Sequence, residues 1–305
     1  MNKILIGDSL ELLKTIDDEC VQTCVTSPPY WGLRDYGNDA QLGLEPTPEQ
    51  YVQNMVQMFR EVRRVLKKDG TLWLNLGDSY ARVGGDNRDA GRHWDGRENN
   101  PNTSHNRYAS DIGLKPKDLV GIPWRVALAL QADGWYLRQD IIWHKTNPMP
   151  ESVTDRCTKS HEYIFLMTKS SQYYYDHEAI KEVTNKTGGN PRVFGSKNQS
   201  GTLRQDIGRE FVDDGTRNKR SVWTVPTKPY TGAHFAVFPD ELIKPCVLAG
   251  SAKGDIVLDP FFGSGTTGLV ALRSRRRFIG IELNPEYVKI ANERLRPYLN
   301  QSELF

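Results

Sequence analysis

The stretch from Ile256 to Glu282 constrains the fold more than any other part of the chain. Ile256-Val257-Leu258 runs into Asp259-Pro260-Phe261-Phe262-Gly263-Ser264-Gly265-Thr266-Thr267-Gly268, and Leu269 to Leu272 follow. After three arginines comes a second apolar run, Phe278 to Ile281, ending on Glu282. Strand, glycine turn, helix and strand make one βαβ unit, the crossover that parallel pairing requires. Gly263, Gly265 and Gly268 spell G-x-G-x-x-G, and Glu282 stands 19 residues after the first. That is close to the offset at which an acid accepts from ribose hydroxyls. Leu269 occupies the place where a triphosphate-binding loop carries Lys. Asp259, four residues before Gly263, would repel a pyrophosphate seated at the helix N-terminus. A nucleoside bearing a cation suits these acids better. S-adenosylmethionine offers a ribose to Glu282, and an ammonium and a sulfonium to carboxylates such as Asp259.

The rest of the chain repeats the same alternation. Ile4 to Ile6 reads as a strand, followed by helical spacing at Leu10, Leu12, Leu13 and Ile16. Val21 to Val25 is a second strand. Residues 48–68 keep an apolar stripe at helical spacing and stop at Lys67-Lys68-Asp69-Gly70. Further strands are expected at 71–76, 135–143 and 163–167, and helices at 124–131 and 240–249. The reading is a single α/β domain over 1–305, with a mostly parallel twisted sheet covered by helices on both faces. Two stretches break the pattern: 83–112, expected to be an inserted loop or flap, and 183–223. The second carries eight Lys or Arg against four acids. It is therefore the candidate target-recognition insertion, although a solvated loop has the same composition. The net charge of the whole chain is only +2, which neither demands nor excludes a polyanionic partner.

Val21 to Val25 ends at Thr26-Ser27-Pro28-Pro29-Tyr30-Trp31. Pro29 has no N–H to pair back into a sheet, so the Pro28 carbonyl is left free to accept. With a methyl donor nearby, a side-chain oxygen and that carbonyl suit the two N–H bonds of an exocyclic amine, and Tyr30 and Trp31 suit a base flipped out of a duplex. On these residues the chain resembles the β group of amino-methylating DNA methyltransferases, with Ser-Pro-Pro-Tyr N-terminal and Phe-x-Gly-x-Gly (Phe261 to Gly265) C-terminal. The resemblance implies a Rossmann-like S-adenosylmethionine-dependent methyltransferase fold. It implies that Ser27, Pro28, Pro29 and Tyr30 hold the target amine. It also implies cofactor contacts at Asp259, Phe261, Gly263, Gly265, Thr266, Thr267, Glu282 and Asn284, at Asp8 after Gly7, and at His234, Phe235 and Phe238. Ser at the first motif position implies N4-methylation of cytosine. N6-methylation of adenine is the alternative, because a hydroxyl and a carboxylate both accept from an amine.

Trp31, Arg34, Lys145, Arg217, Lys219 and Arg220 are the expected DNA contacts, with solvated surface charge as the competing reading for the cations. Cys20-x3-Cys24 with Cys157-x3-His161 is a poor zinc tetrad, since Cys24 lies in a strand-like run, and no metal is expected. Pro245-Cys246 sits in an apolar helix and reads as core. Double-stranded DNA is the expected partner, whereas a non-catalytic DNA reader and an RNA amine methyltransferase are more distant readings. A cognate restriction endonuclease and the choice between monomer and homodimer stay open. The N-terminus lacks a signal-like apolar core and no run approaches the roughly 20 residues of a bilayer span, so a cytoplasmic protein is expected, and the resemblance implies a bacterial, archaeal or phage-encoded one.

Overall fold

The computed structural model describes residues 2–32, 41–81, 112–184, 215–227 and 238–302. The elements in chain order are β1 (Lys3–Ile6), α1 (Ser9–Leu13), β2 (Val21–Thr26), α2 (Pro48–Val65), β3 (Leu66–Leu76), α3 (Ile122–Ala132), β4 (Tyr136–His144), β5 (His161–Thr168), β6 (Glu182–Val183), β7 (Thr216–Arg217), β8 (Val222–Thr224), α4 (Asp240–Gly250), β9 (Ile256–Asp259), α5 (Thr266–Arg273), β10 (Arg277–Glu282) and α6 (Pro285–Ser302). Among the described residues, eight strands form one sheet in the order β1-β10-β9-β2-β3-β5-β4-β8. β5 pairs antiparallel with both of its neighbours, and every other pair in that sheet is parallel. Strand β5 alone therefore runs against the rest.

Side-chain alternation along each strand feeds two cores. Cys24, Leu72, Leu74, Phe165, Met167, Leu258 and Ile279 face a layer containing Leu13 of α1, Tyr51 and Phe59 of α2, and Val126 of α3. Their neighbours Val25, Trp73, Ile164, Leu166, Val257 and Phe278 face Leu242 and Val247 of α4, Leu269 of α5 and Leu295 of α6. β2 is buried along its whole length, as expected for a parallel strand covered on both sides.

This topology also decides where a ligand binds. From β2 the chain passes through α2 to β3 on one side, and from β9 through α5 to β10 on the other. β2 and β9 are neighbours, with Thr23 opposite Val257 and Cys24 opposite Leu258. Their carboxyl ends thus flank the switch point of the sheet, where open α/β folds leave a crevice. Thr26-Ser27-Pro28-Pro29-Tyr30 leaves the first strand there, and the glycine loop leaves the second.

Two expected boundaries are corrected. The helix expected over 48–68 ends at Val65, and Leu66 is already extended (φ −68°, ψ 139°), so Lys67 to Gly70 belong to β3. Residues 183–223 are not irregular at their C-terminal end. Val222–Thr224 is an edge strand parallel to β4, and Val183 and Thr216 pair in a short antiparallel ribbon. The expected flap lies outside the described residues except for Ile112, which is buried, and residues 185–214 of the expected insertion lie outside them as well.

Candidate active site

The glycine loop is built around a phenylalanine. Phe262 is buried and stacks on Phe278 (5.3 Å, 14°). A Cβ on Gly268 would stand 2.6 Å from its ring, and one on Gly280 only 2.3 Å away. The third glycine of the motif therefore serves close helix–strand packing. Gly263 and Gly265 instead supply positive φ (51° and 80°), and a Cβ on Gly263 would meet no atom within 4 Å. The loop is thus open to solvent space at Gly263 and packed at Gly265 and Gly268. Arg294 of α6 braces it, donating to Ser264 O (3.3 Å), Ser264 Oγ (3.2 Å) and Thr266 Oγ1 (2.8 Å).

Glu282 ends β10 beside this loop. One oxygen accepts from Gly263 N (2.7 Å) and the other from Asn284 N (2.8 Å), and the Leu283 N–H also bonds the carboxylate, whose four lone-pair sites leave room for a further donor. Burial raises its pKa above the usual carboxylate value, against the backbone N–H groups of Asn284, Gly263 and Leu283. Gly7 N donates to Glu282 O (3.0 Å) and Ser9 Oγ to Pro260 O (2.6 Å), so the tip of β1 joins the same rim.

Asp259 is 1% exposed. Its Oδ1 accepts from Thr26 Oγ1 (2.7 Å) and Phe261 N (3.0 Å), and its Oδ2 from Thr267 Oγ1 (2.6 Å). Asp259, expected to meet the cofactor's cation, is instead a buried brace across the switch point, its oxygens engaged by β2, the loop and α5. Burial pushes its pKa up to about 6 despite those donors. A carboxyl whose pKa rises on folding holds its proton more tightly in the native state. Its contribution to stability therefore grows as pH falls from 7 toward 4 and is lost as pH rises through 6. Asp259→Asn keeps one acceptor, and Thr267 Oγ1 can rotate to accept from the new amide. The substitution is expected to raise the unfolding free energy at pH 7.5 by up to roughly 3 kcal/mol, and by much less at pH 4.5. Urea unfolding of both proteins at the two pH values measures this; an equal difference at both would refute it.

The Ser-Pro-Pro-Tyr tip is held from α2, where Tyr51 Oη donates to Pro29 O (2.9 Å). Among the described residues no donor reaches the Pro28 carbonyl. The Tyr30 ring lies against Gly77, and its hydroxyl donates to Glu162 Oε2 (2.6 Å) and approaches Asn75 Oδ1 (3.2 Å). Ser27 Oγ donates to Tyr30 Oη at 3.4 Å. Burial, and then the Glu162 carboxylate, push the Tyr30 phenol well above its usual pKa, so it stays protonated.

Several expected contacts are revised. Trp31 is 4% exposed within the α2-side core, and its Nε1 donates to Glu45 O (3.0 Å), which removes it from stacking on a base. Lys145, expected on a phosphate, ion-pairs with Glu162 and lies over the Trp143 ring (4.5 Å). It belongs to the pocket wall rather than the surface. The side chains of Thr266 and Thr267 are buried braces, toward Arg294 and Asp259. Asn284 Oδ1 accepts from Glu286 N (2.9 Å) at the start of α6, and Asp8 Oδ1 from Glu11 N (2.9 Å) at the start of α1, so both serve as helix caps at the rim. Phe238 packs against the α4-side core. His234, Phe235 and Arg34 lie outside the described residues.

Arg217, Lys219 and Arg220 converge on one carboxylate, Glu182, at 3.3, 3.4 and 3.8 Å. Three cations on one acid leave an excess of positive charge there. Among the described residues no group of three or more His, Cys, Asp or Glu is arranged to hold a metal ion. Cys24 and Cys246 are buried in the two cores, and burial pushes both thiols up. Asn75, Gly77, Glu162 and Arg294 were not anticipated. The one signal for Asn75 is a polar residue inside an otherwise apolar strand run, and Glu162, just before the run 163–167, carries none.

Comparison with known proteins agrees with this geometry. A family model described as DNA methylase, N6_N4_Mtase, matches residues 21–293. The chain is 51% identical to the Type II methyltransferase M.Cfr9I of Citrobacter freundii over 95% of its length and 86% of that protein's. It is 49% identical to the Type II methyltransferase M.SmaI of Serratia marcescens, over 96% and 90% respectively. Among solved structures, TTHA0409 of Thermus thermophilus complexed with S-adenosyl-L-methionine superposes with a TM-score of 0.60 at 25% identity, covering 98% of this chain and 94% of that one. The cytosine-N4-specific PvuII DNA methyltransferase superposes with a TM-score of 0.64 at 21% identity, covering 99% and 93%, and shows the shared fold. A glycine loop and a Ser-Pro-Pro-Tyr tip facing each other across the switch point, on a chain matched over 21–293, place this protein in the N6/N4 family of DNA methylases.

Proposed function

We propose that this protein is a Type II DNA methyltransferase that moves a methyl group from S-adenosylmethionine to the exocyclic N4 amine of a cytosine flipped out of duplex DNA. The observation that carries this reading is the Thr26–Asp259 hydrogen bond (2.7 Å), which ties the amine-binding tip to the glycine loop across the switch point. The residues present suit the cofactor. Space lies open before Gly263, and the remaining acceptor capacity of Glu282 suits a ribose hydroxyl. When bound, S-adenosylmethionine would supply the electrophilic methyl carbon and keep the electrons of the carbon–sulfur bond on sulfur, and the methylated nitrogen would give its extra proton to water.

The chain's own part is orientation. Ser27 Oγ and Pro28 O accept the two amine hydrogens and turn the nitrogen lone pair toward the methyl group, in line with the departing sulfur. Tyr30, anchored through its hydroxyl, offers its ring to the base. The cations gathered at Glu182 suit phosphates. The preference for cytosine rests on Ser27 in the first motif position.

Mass spectrometry of nucleosides from DNA methylated in vitro tests the reading. N4-methylcytosine is expected. N6-methyladenine would overturn the choice of base and keep the amino-methyl transfer, and no methylated nucleoside on unmodified genomic DNA would overturn the reading altogether. Glu282→Ala is expected to weaken S-adenosylmethionine binding on the order of ten- to hundredfold, with a smaller change in the rate at saturating cofactor. An unchanged dissociation constant by calorimetry would remove Glu282 from the ribose site.

A further inference from the structure

The wall behind Tyr30 holds a polar cluster that lies in neither motif. Glu162 of β5 and Lys145, just past β4, form an ion pair with side chains only 14% and 19% exposed. A buried pair of this kind carries a desolvation cost and is weak evidence of a stabilising role. Its second carboxylate oxygen faces inward, where it receives Tyr30 Oη (2.6 Å) and Asn75 Nδ2 (3.2 Å). Asn75 Nδ2 also donates to Tyr163 O (3.0 Å), which fixes the orientation of that amide.

Hydrogen-bond direction follows from this arrangement. Tyr30 has one proton, and the short bond to a carboxylate takes it in preference to the longer one to Asn75 Oδ1. A lone pair of Tyr30 Oη is then left toward Ser27, whose own proton points at it across 3.4 Å. A serine hydroxyl has one donor and two acceptor sites. With its proton turned to Tyr30, Ser27 presents only acceptors to an incoming N–H. With its proton turned outward, it would oppose the amine.

We propose that Glu162 is a positioning residue for methyl transfer, acting through Tyr30 to hold the Ser27 hydroxyl as an acceptor for the target amine. The inference rests on the amino-methyl transfer proposed above. Lys145 sharpens the consequence of substitution. In Glu162→Gln the side-chain oxygen stays on Lys145 and the NH2 turns toward Tyr30 and Asn75 Nδ2, so donors face donors. The new NH2 donates to Tyr30 Oη, whose proton passes to Asn75 Oδ1 (3.2 Å), and the lone pair that received the Ser27 proton is taken.

The test compares wild type, Glu162→Gln, Tyr30→Phe and the double variant in single-turnover methyl transfer. Labelled S-adenosylmethionine and unmodified genomic DNA are the substrates, with cofactor affinity measured by calorimetry. Each single substitution is expected to slow transfer on the order of ten- to hundredfold, the loss of a hydrogen bond to a charged group. The double variant is expected to be no slower than the slower single one, and the cofactor dissociation constant to stay within about threefold throughout. A residue that merely stabilises the fold would not give this non-additivity. Glu162→Asp keeps the charge opposite Lys145 and withdraws the oxygen from Tyr30, and it provides the same comparison if Glu162→Gln does not fold. A Glu162 substitution that leaves the rate near wild type overturns the proposal, as does one that multiplies the loss of Tyr30→Phe. Wild-type protein that methylates no base would overturn the functional reading, and this inference with it.

Discussion

Replacing Gly77 by Ala is expected to slow methyl transfer about a hundredfold while leaving S-adenosylmethionine affinity close to that of the wild type. A Cβ at this position would stand 2.5 Å from Cε2 and 2.9 Å from Cδ2 of Tyr30, well inside van der Waals contact. The ring has little freedom to yield. Its hydroxyl is anchored at 2.6 Å by Glu162, and the Pro29 carbonyl before it is held by Tyr51 Oη at 2.9 Å. The relief open to it is a displacement on the order of 1 Å, which in a site that works by orientation costs about two powers of ten. Gly77 does not have a positive φ, so the Ala backbone is unstrained and the effect is confined to the ring. The glycine loop and Glu282 lie across the switch point and are untouched. A single-turnover rate within threefold of wild type would show that the Tyr30 ring does not set the geometry of transfer.

What was legible in advance divides by sequence distance. Gly263 and Glu282 lie within one βαβ unit, so their proximity is visible as a spacing of 19 residues, whereas the hydrogen bond between them is not. Strands with period-two or continuous apolar character were legible too, because burial on both faces leaves its mark in composition. The Thr26–Asp259 bond spans 233 residues and had no such mark. Trp31 shows the same limit at short range. Beside Tyr30, an aromatic ring reads the same whether it stacks on a base or fills a core, and it is the Glu45 carbonyl, 14 residues on, that draws its Nε1 inward. Lys145 shows a related limit. A lysine after a strand reads as surface charge unless its partner is known, and Glu162 becomes its neighbour only because β5 runs antiparallel beside β4, with Trp143 opposite Glu162. Lys67 to Gly70 look like a helix stop, with cations and a glycine. Leu66 instead pairs with Val21, and Thr71 with Thr23 and Thr168, so those four residues bulge between paired positions of one strand, a tertiary preference overriding a local one.

Gly280→Ala is expected to destabilise the fold by about 3 kcal/mol or more, at the upper end of what overpacking costs. The added Cβ would lie 2.3 to 2.7 Å from three atoms of the Phe262 ring. That ring cannot retreat toward α5, because the slot there exists only where Gly268 lacks a side chain, and Phe278 is stacked against it. The backbone of Phe262 is pinned as well, its N–H donating to Ile281 O at 2.8 Å. Strain at Gly280 therefore passes through Phe262 to the residue after it, Gly263, whose N–H holds Glu282 Oε2. Soluble Gly280→Ala protein is accordingly expected to bind S-adenosylmethionine at least about tenfold more weakly, although residue 280 itself lies within a strand. Phe262→Ala alone removes the ring and is expected to cost about 3–5 kcal/mol through the cavity it leaves. Combining the two should cost less than their sum by about 1 kcal/mol or more, since the new methyl group then occupies space the ring has vacated. Denaturant unfolding of the four proteins measures that coupling. Strict additivity would mean that the glycines at 268 and 280 are not there to seat Phe262, and that the loop owes its shape to positive φ at Gly263 and Gly265 and to the Arg294 brace.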